Sequence, residues 1–201
     1  MSFSTLVDSV VAFLTEHGLE RVDAVGTSMG ARIVLELARR NVVRDVVSLD
    51  PGGFWEGWER SYFRVTLGAS INLVRALTSA LPFITGNPVT RTLLLLQFSA
   101  HPWTLPGAIA LQELRSFVST PSFDVLLSDL SNGAGQEGVA STPGRLMIGW
   151  GRQDLVCFSS QAARAQERFP SAEFHWFERC GHFPFWDSPE ETTQLILQCT
   201  G

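Results

Sequence analysis

The stretch VDAVGTSMGARIV, Val22 to Val34, decides the fold. Val22, Ala24 and Val25 are short and largely β-branched and suit a strand, whereas Ile33, Val34, Leu35, Leu37 and Ala38 suit a helix. The pattern changes at Ser28, so a strand is expected to turn abruptly into a helix there. Such a turn crowds the backbone, and Gly26 and Gly30 are expected where a Cβ would strike the neighbouring strand or helix. Together Gly26, Thr27, Ser28, Met29 and Gly30 spell G-x-S-x-G.

Working outward, RDVVSLDPGG supplies a second buried-strand run, Val46, Val47 and Leu49, that ends at Asp50 and Pro51. GRLMIGWGRQD gives a third strand around Leu146 to Trp150, and AEFHWFE a fourth. The Ala- and Arg-rich SSQAARAQERF reads as a helix between them. SPEETTQLILQC opens a closing helix, with Ser188 as N-cap and Pro189 at its first position. Strands alternating with helices predict an α/β fold with a parallel sheet. Between these runs, Gly52 to Thr142 reads as helices broken by Pro82, Pro88, Pro102, Pro106 and Pro121. The expected organisation is a core formed by residues 1–51 and 143–201, with a helical lid inserted at 52–142. The aromatic residues Trp55, Trp58, Phe63, Phe83 and Trp103 suggest that this insertion covers a ligand at the strand ends. NGAGQEGVASTPG is expected to be a flexible return to the third strand.

At 201 residues, 45% of them hydrophobic and 17% charged, the chain can bury one sizeable core. Its net charge of -5, without a Lys/Arg cluster, excludes a nucleic-acid footprint. The N-terminal MSFSTLVDSVVAFLTEHG carries an acidic residue where a signal peptide is basic, and its apolar residues recur at helical spacing. It therefore reads as an amphipathic helix stopped near Gly18. No apolar run has the length of a membrane span, and a soluble, cytoplasmic protein is expected. Cys157, Cys180 and Cys199 are an odd number in a chain that needs no staples, so reduced thiols are expected.

A Ser hydroxyl is a weak nucleophile until a base takes its proton, and the base needs a third group to hold its tautomer. Asp154 lies just past the third strand and His182 just past the fourth, so Ser28, Asp154 and His182 all follow strand ends and share one rim of the sheet. Asp50, past the second strand, is a rival acid. Asp187 reads as a charge favoured by the dipole of the closing helix. His17, His101 and His175 carry no motif and read as surface or packing residues. Cys157 and Cys180 flank the acid and base loops, but no ligand spacing supports a metal site.

Three stretches in this order, GTSMGA, GRQD and GHFPFWDSPEE, make the sequence resemble the α/β-hydrolase superfamily, particularly its lid-bearing esterases and C–C hydrolases. The resemblance spans nearly the whole chain. It implies that Ser28 is the nucleophile, His182 the general base and then acid, and Asp154 the orienting carboxylate. The backbone N–H of Met29 would be one oxyanion donor, and no cofactor is implied. The implied reaction is cleavage of an apolar ester-like small molecule through an acyl-enzyme. Ser at the elbow argues against the branches whose nucleophile is a carboxylate. Members of the superfamily place further strands and an oxyanion loop before the helix that here begins the chain, so the second oxyanion donor has no candidate in the sequence. The strand at Val22 to Gly26 then has a hydrophobic edge open to pairing. Three readings follow: a shortened product, a minimal hydrolase completed by homo-oligomerisation through that edge, or a catalytically silent binding protein. An acyltransferase or perhydrolase would use the same site.

Overall fold

The computed structural model describes residues 2–200. Four strands, β1 (Ala24–Thr27), β2 (Val46–Leu49), β3 (Leu146–Gly151) and β4 (Glu173–Phe177), form one sheet in the order β1-β2-β3-β4. Every pairing is parallel, with Thr27 beside Leu49, Leu49 beside Gly149, and Gly151 beside Phe177. That register brings the carboxyl ends of all four strands to one rim. Both central strands are buried along their whole length, as their near-continuous apolar composition requires. Among the described residues β1 pairs only with β2, and Val25 on this edge is 45% exposed.

Side chains alternate across the sheet with the period of two that strands impose. Val46, Leu146, Ile148 and Trp150 enter the main core beneath α1 (Phe3–Glu16), α2 (Met29–Arg39) and α8 (Gln161–Arg168). Val47, Leu49 and Met147 point to the other face and meet Leu195 of α10 (Pro189–Thr200). Helix α1 starts where the hydroxyl of Ser2 accepts the N–H of Thr5, and the chain leaves it through Gly18 at φ +64°. All three cysteines are free and buried.

Between β2 and β3 the chain is helical: α3 (Trp58–Ala76), a 3₁₀ turn at Thr78–Ala80, α4 (Leu81–Gly86), α5 (Pro88–Leu95), α6 (Gly107–Ser119) and α7 (Phe123–Asn132). Proline begins or precedes most of these helices, because its missing N–H is harmless in a first turn. At α5 the side chain of Asn87 caps the N–H of Val89 while Pro88 takes the first position. No single described helix is long and apolar enough to cross a membrane. Val74, Leu81, Leu95 and Leu114 of the insertion form a second core with Phe183 and, in the short α9 (Pro184–Asp187), Trp186, both beyond β4. The insertion therefore shares its interior with the connection between β4 and α10.

The return from α7 to β3 is docked, contrary to the flexible connection expected from its Gly-rich composition. Gln136 donates its backbone N–H to the carbonyl of Gly53, and Val139 donates to that of Arg168. A Cβ on Gly138 would lie 2.1 Å from the Arg168 carbonyl oxygen, so glycine here permits close backbone approach rather than mobility.

Candidate active site

Ser28 joins β1 directly to α2 and is held at φ 54°, ψ -115°, a conformation that L-residues seldom adopt. Its backbone is fixed on both sides: the N–H donates to the carbonyl of Leu49, and its own carbonyl accepts the N–H of Arg32. A Cβ at Gly26 would sit 2.2 Å from the carbonyl oxygen of Gly30, so only glycine fits at that position. Gly30 differs from expectation. A Cβ there would meet nothing within 4 Å, because Gly30 faces a cavity instead of a packed neighbour.

His182 bridges the other two residues singled out by the sequence. Its Nε2 lies 2.7 Å from Ser28 Oγ and its Nδ1 lies 2.8 Å from Asp154 Oδ2. Asp154 follows β3, and its other oxygen accepts the N–H groups of Val156 and Cys157 at 2.7 and 2.9 Å. With both oxygens engaged the carboxylate cannot rotate away, and the ring of His182, 1% exposed, is held in one plane. A proton on Nδ1 facing Asp154 leaves Nε2 free to accept from the Ser28 hydroxyl.

Asp50 occupies the rival position past β2 but makes no bond to His182. Its Oδ1 accepts the N–H of Gly151 at 2.7 Å, and its Oδ2 is buried without a partner among the described residues. Complete burial, followed by the charge of Asp154, pushes its carboxyl well above the usual range. Asp50 is therefore biased towards its protonated form, and the carboxylate bonded to His182 is that of Asp154. Donor atoms of Asp154, Cys157 and His182 lie within 4.8 Å of one another. Burial, then Asp154, pushes the Cys157 thiol up, which keeps it protonated and a poor ligand, and the other two groups are already bonded to each other.

Met29 is the first residue of α2, so its N–H has no partner within the helix and lies beside Ser28 on the cavity wall. The cavity measures about 390 Å³, in the range of small-molecule sites. Of the five insertion aromatics singled out by composition, only Phe63 reaches it; Trp58, Phe83 and Trp103 are 66%, 79% and 51% exposed. Leu126, Leu127 and Leu130 of α7, with Phe98, Phe117 and Phe183, supply the apolar wall instead.

Asp187 corrects another expectation. Its carboxylate is a clamp: one oxygen accepts the N–H groups of Ala100 and Gly181 at 2.8 Å each, and the other accepts the N–H of His101 and the Ser99 hydroxyl. Phe98 adds to this, its carbonyl accepting the N–H groups of His182 and Phe183 at 2.9 and 3.2 Å. The loop bearing His182 is thus tied to the insertion. Nothing local in HFPFWDSPE signals this, since the partners in the insertion, Ser99, Ala100 and His101, lie more than 80 residues away.

A Ser on a strand-to-helix turn, hydrogen-bonded to a His that is in turn bonded to an Asp, both on later loops of the same rim, is the architecture of an α/β hydrolase. The alpha/beta hydrolase family model matches residues 1–195, and the chain belongs to that family. It is 27% identical over 207 residues to the epoxide hydrolase EphH of Mycobacterium tuberculosis, covering 98% of this chain and 94% of that protein. Over 55 residues, 27% of this chain and 19% of the relative, it is 36% identical to the 2-hydroxy-6-oxononadienedioate/2-hydroxy-6-oxononatrienedioate hydrolase of Paraburkholderia phymatum. Among solved structures, an esterase from Exiguobacterium antarcticum superposes with a TM-score of 0.76 at 17% identity, covering 98% of this chain and 73% of the esterase.

Proposed function

We propose that the protein is a serine hydrolase that cleaves an ester or related acyl bond of an apolar small molecule, with the helical insertion as its lid. The observation that carries this reading is the ring of His182 bonded on one side to Ser28 Oγ and on the other to Asp154. In the first half-reaction Nε2 takes the hydroxyl proton as Oγ attacks the carbonyl carbon. The oxyanion that forms is met by the N–H of Met29 at the positive end of α2. His182 then returns the proton to the leaving group, and an acyl ester remains on Ser28. Water, deprotonated by the same Nε2, releases the acid and restores the hydroxyl. Asp154 holds Nδ1–H throughout and stabilises the imidazolium.

The similarity to EphH favours a second reading, epoxide hydrolysis. Attack of Ser28 on an epoxide carbon would leave an ether on Oγ, which water does not cleave as it cleaves an acyl ester, so acyl transfer is preferred. Cleavage of a dioate, as in the name of the Paraburkholderia relative, would call for cations facing two carboxylates, and the cavity wall carries no Lys or Arg among the described residues. Fluorophosphonate labelling decides: the wild-type chain should be labelled at Ser28 and hydrolyse short p-nitrophenyl esters, and Ser28→Ala should do neither. Turnover of styrene oxide with an unlabelled Ser28 would overturn the proposal in favour of the second reading.

A further inference from the structure

The cavity is not uniformly apolar. Glu113 and Ser116 lie three residues apart and therefore on one face of α6, and both line the cavity together with Thr120, just past the helix end. Leu126, Leu127 and Leu130 of α7 and Leu67 of α3 line the same cavity. Glu113 is half-buried, and no hydrogen bond or ion pair reaches its carboxylate among the described residues. Arg115, two residues on, is exposed on another side of α6 and is absent from the cavity wall. Apart from His182, which is engaged by Ser28 and Asp154, Glu113 is the one ionisable side chain among the described lining residues.

A carboxylate on a largely apolar wall with no cation beside it has no fixed partner of its own. It is stabilised when the occupant of the cavity brings a positive charge or a hydrogen-bond donor, and it repels an occupant carrying a second carboxylate. No lining Lys or Arg among the described residues offsets that charge, so an occupant of the cavity meets it directly.

We infer that Glu113 is a specificity-determining residue, and that the cavity accepts apolar ligands that are neutral or cationic and rejects those bearing a carboxylate. This rests on the serine-hydrolase reading only in taking the cavity as the substrate site. It also suits the reaction, because hydrolysis of an ester in this cavity generates a carboxylic acid, whose anion Glu113 would help to expel.

The test measures binding and needs no turnover. Hexyltrimethylammonium and hexanoate, matched in chain length and opposite in charge, compete against a neutral fluorescent probe, Nile red, in the purified full chain. For the wild type the cation should bind about tenfold more tightly than the anion at moderate salt, with the preference shrinking as salt rises. The isosteric E113Q should remove the preference, and E113K should invert it. Equal binding of the two ions by the wild type, or a preference unchanged in both variants, overturns the inference. Labelling with a neutral fluorophosphonate on the same samples reports on Ser28 separately. A charge preference without labelling would sink the serine-hydrolase reading and keep Glu113, whereas labelling without a charge preference would do the reverse.

Discussion

Replacing Asp187 by Asn separates two accounts of the loop that carries His182. The wild-type carboxylate accepts four hydrogen bonds, two on each oxygen, three of them from backbone N–H groups. Asn keeps one oxygen and turns an NH₂ group towards two of the donors, so two bonds are lost and the remaining two lose the help of the charge. Each donor left without an acceptor costs about 1–3 kcal/mol, and the half-buried site puts the sum at about 3 kcal/mol. If Asp187 served only as a first-turn charge on α10, the loss would be about 0.3–1 kcal/mol. Urea unfolding followed by tryptophan fluorescence distinguishes these values, since about 3 kcal/mol is a large part of the stability of a domain. Gly181 precedes His182, so the clamp also predicts slower reaction of Ser28 with a fluorophosphonate under native conditions. A D187N protein that unfolds within about 1 kcal/mol of wild type and is labelled at the wild-type rate would refute the clamp.

Three further outcomes are expected. Gly26→Ala should fail to accumulate as folded protein, because its Cβ would overlap the Gly30 carbonyl, whereas Gly30→Ala should fold normally and raise KM for bulky esters by filling the cavity; circular dichroism and ester kinetics on the pair check the contrast. Asp154→Asn, which leaves an amide beside Nδ1, should lower kcat by about 10⁴ while Ser28→Ala abolishes turnover, and a loss under tenfold would remove Asp154 from its role. The raised carboxyl of Asp50 favours the folded state fully below the ordinary Asp value of about 3.9 and withdraws that contribution as pH climbs through its higher folded value. Asp50→Asn, which keeps an oxygen for the Gly151 N–H, should therefore lose less stability between acid and neutral pH than wild type, as thermal midpoints across pH 4 to 8 would show.

The four strands were legible because each carries its own pattern: Val46, Val47 and Leu49 for a strand buried on both faces, and a break in period at Ser28 for the turn. Ser28, Asp154 and His182 could be picked out because each follows a strand, and a parallel register brings strand ends together wherever the intervening chain goes. The cavity wall could not be read in the same way. Trp58 and Phe83 look like lining residues by composition yet face outward, while Leu126 and Phe98 line the cavity through helix orientations that no local period encodes. Asp187 was invisible for a related reason: Ser99 stands 88 residues away, and a carboxylate near a helix start has a local explanation already. The docking of the Gly-rich return to β3 also depended on distant partners, the carbonyls of Gly53 and Arg168.

The bonds from Phe98 and Asp187 to the His182 loop have a mechanical consequence. A displacement that lifts the segment Phe98 to His101 away from the sheet pulls on the backbone on either side of the imidazole and draws it off Ser28. The seating of that segment and the placement of the His182 ring beside Ser28 Oγ are therefore coupled.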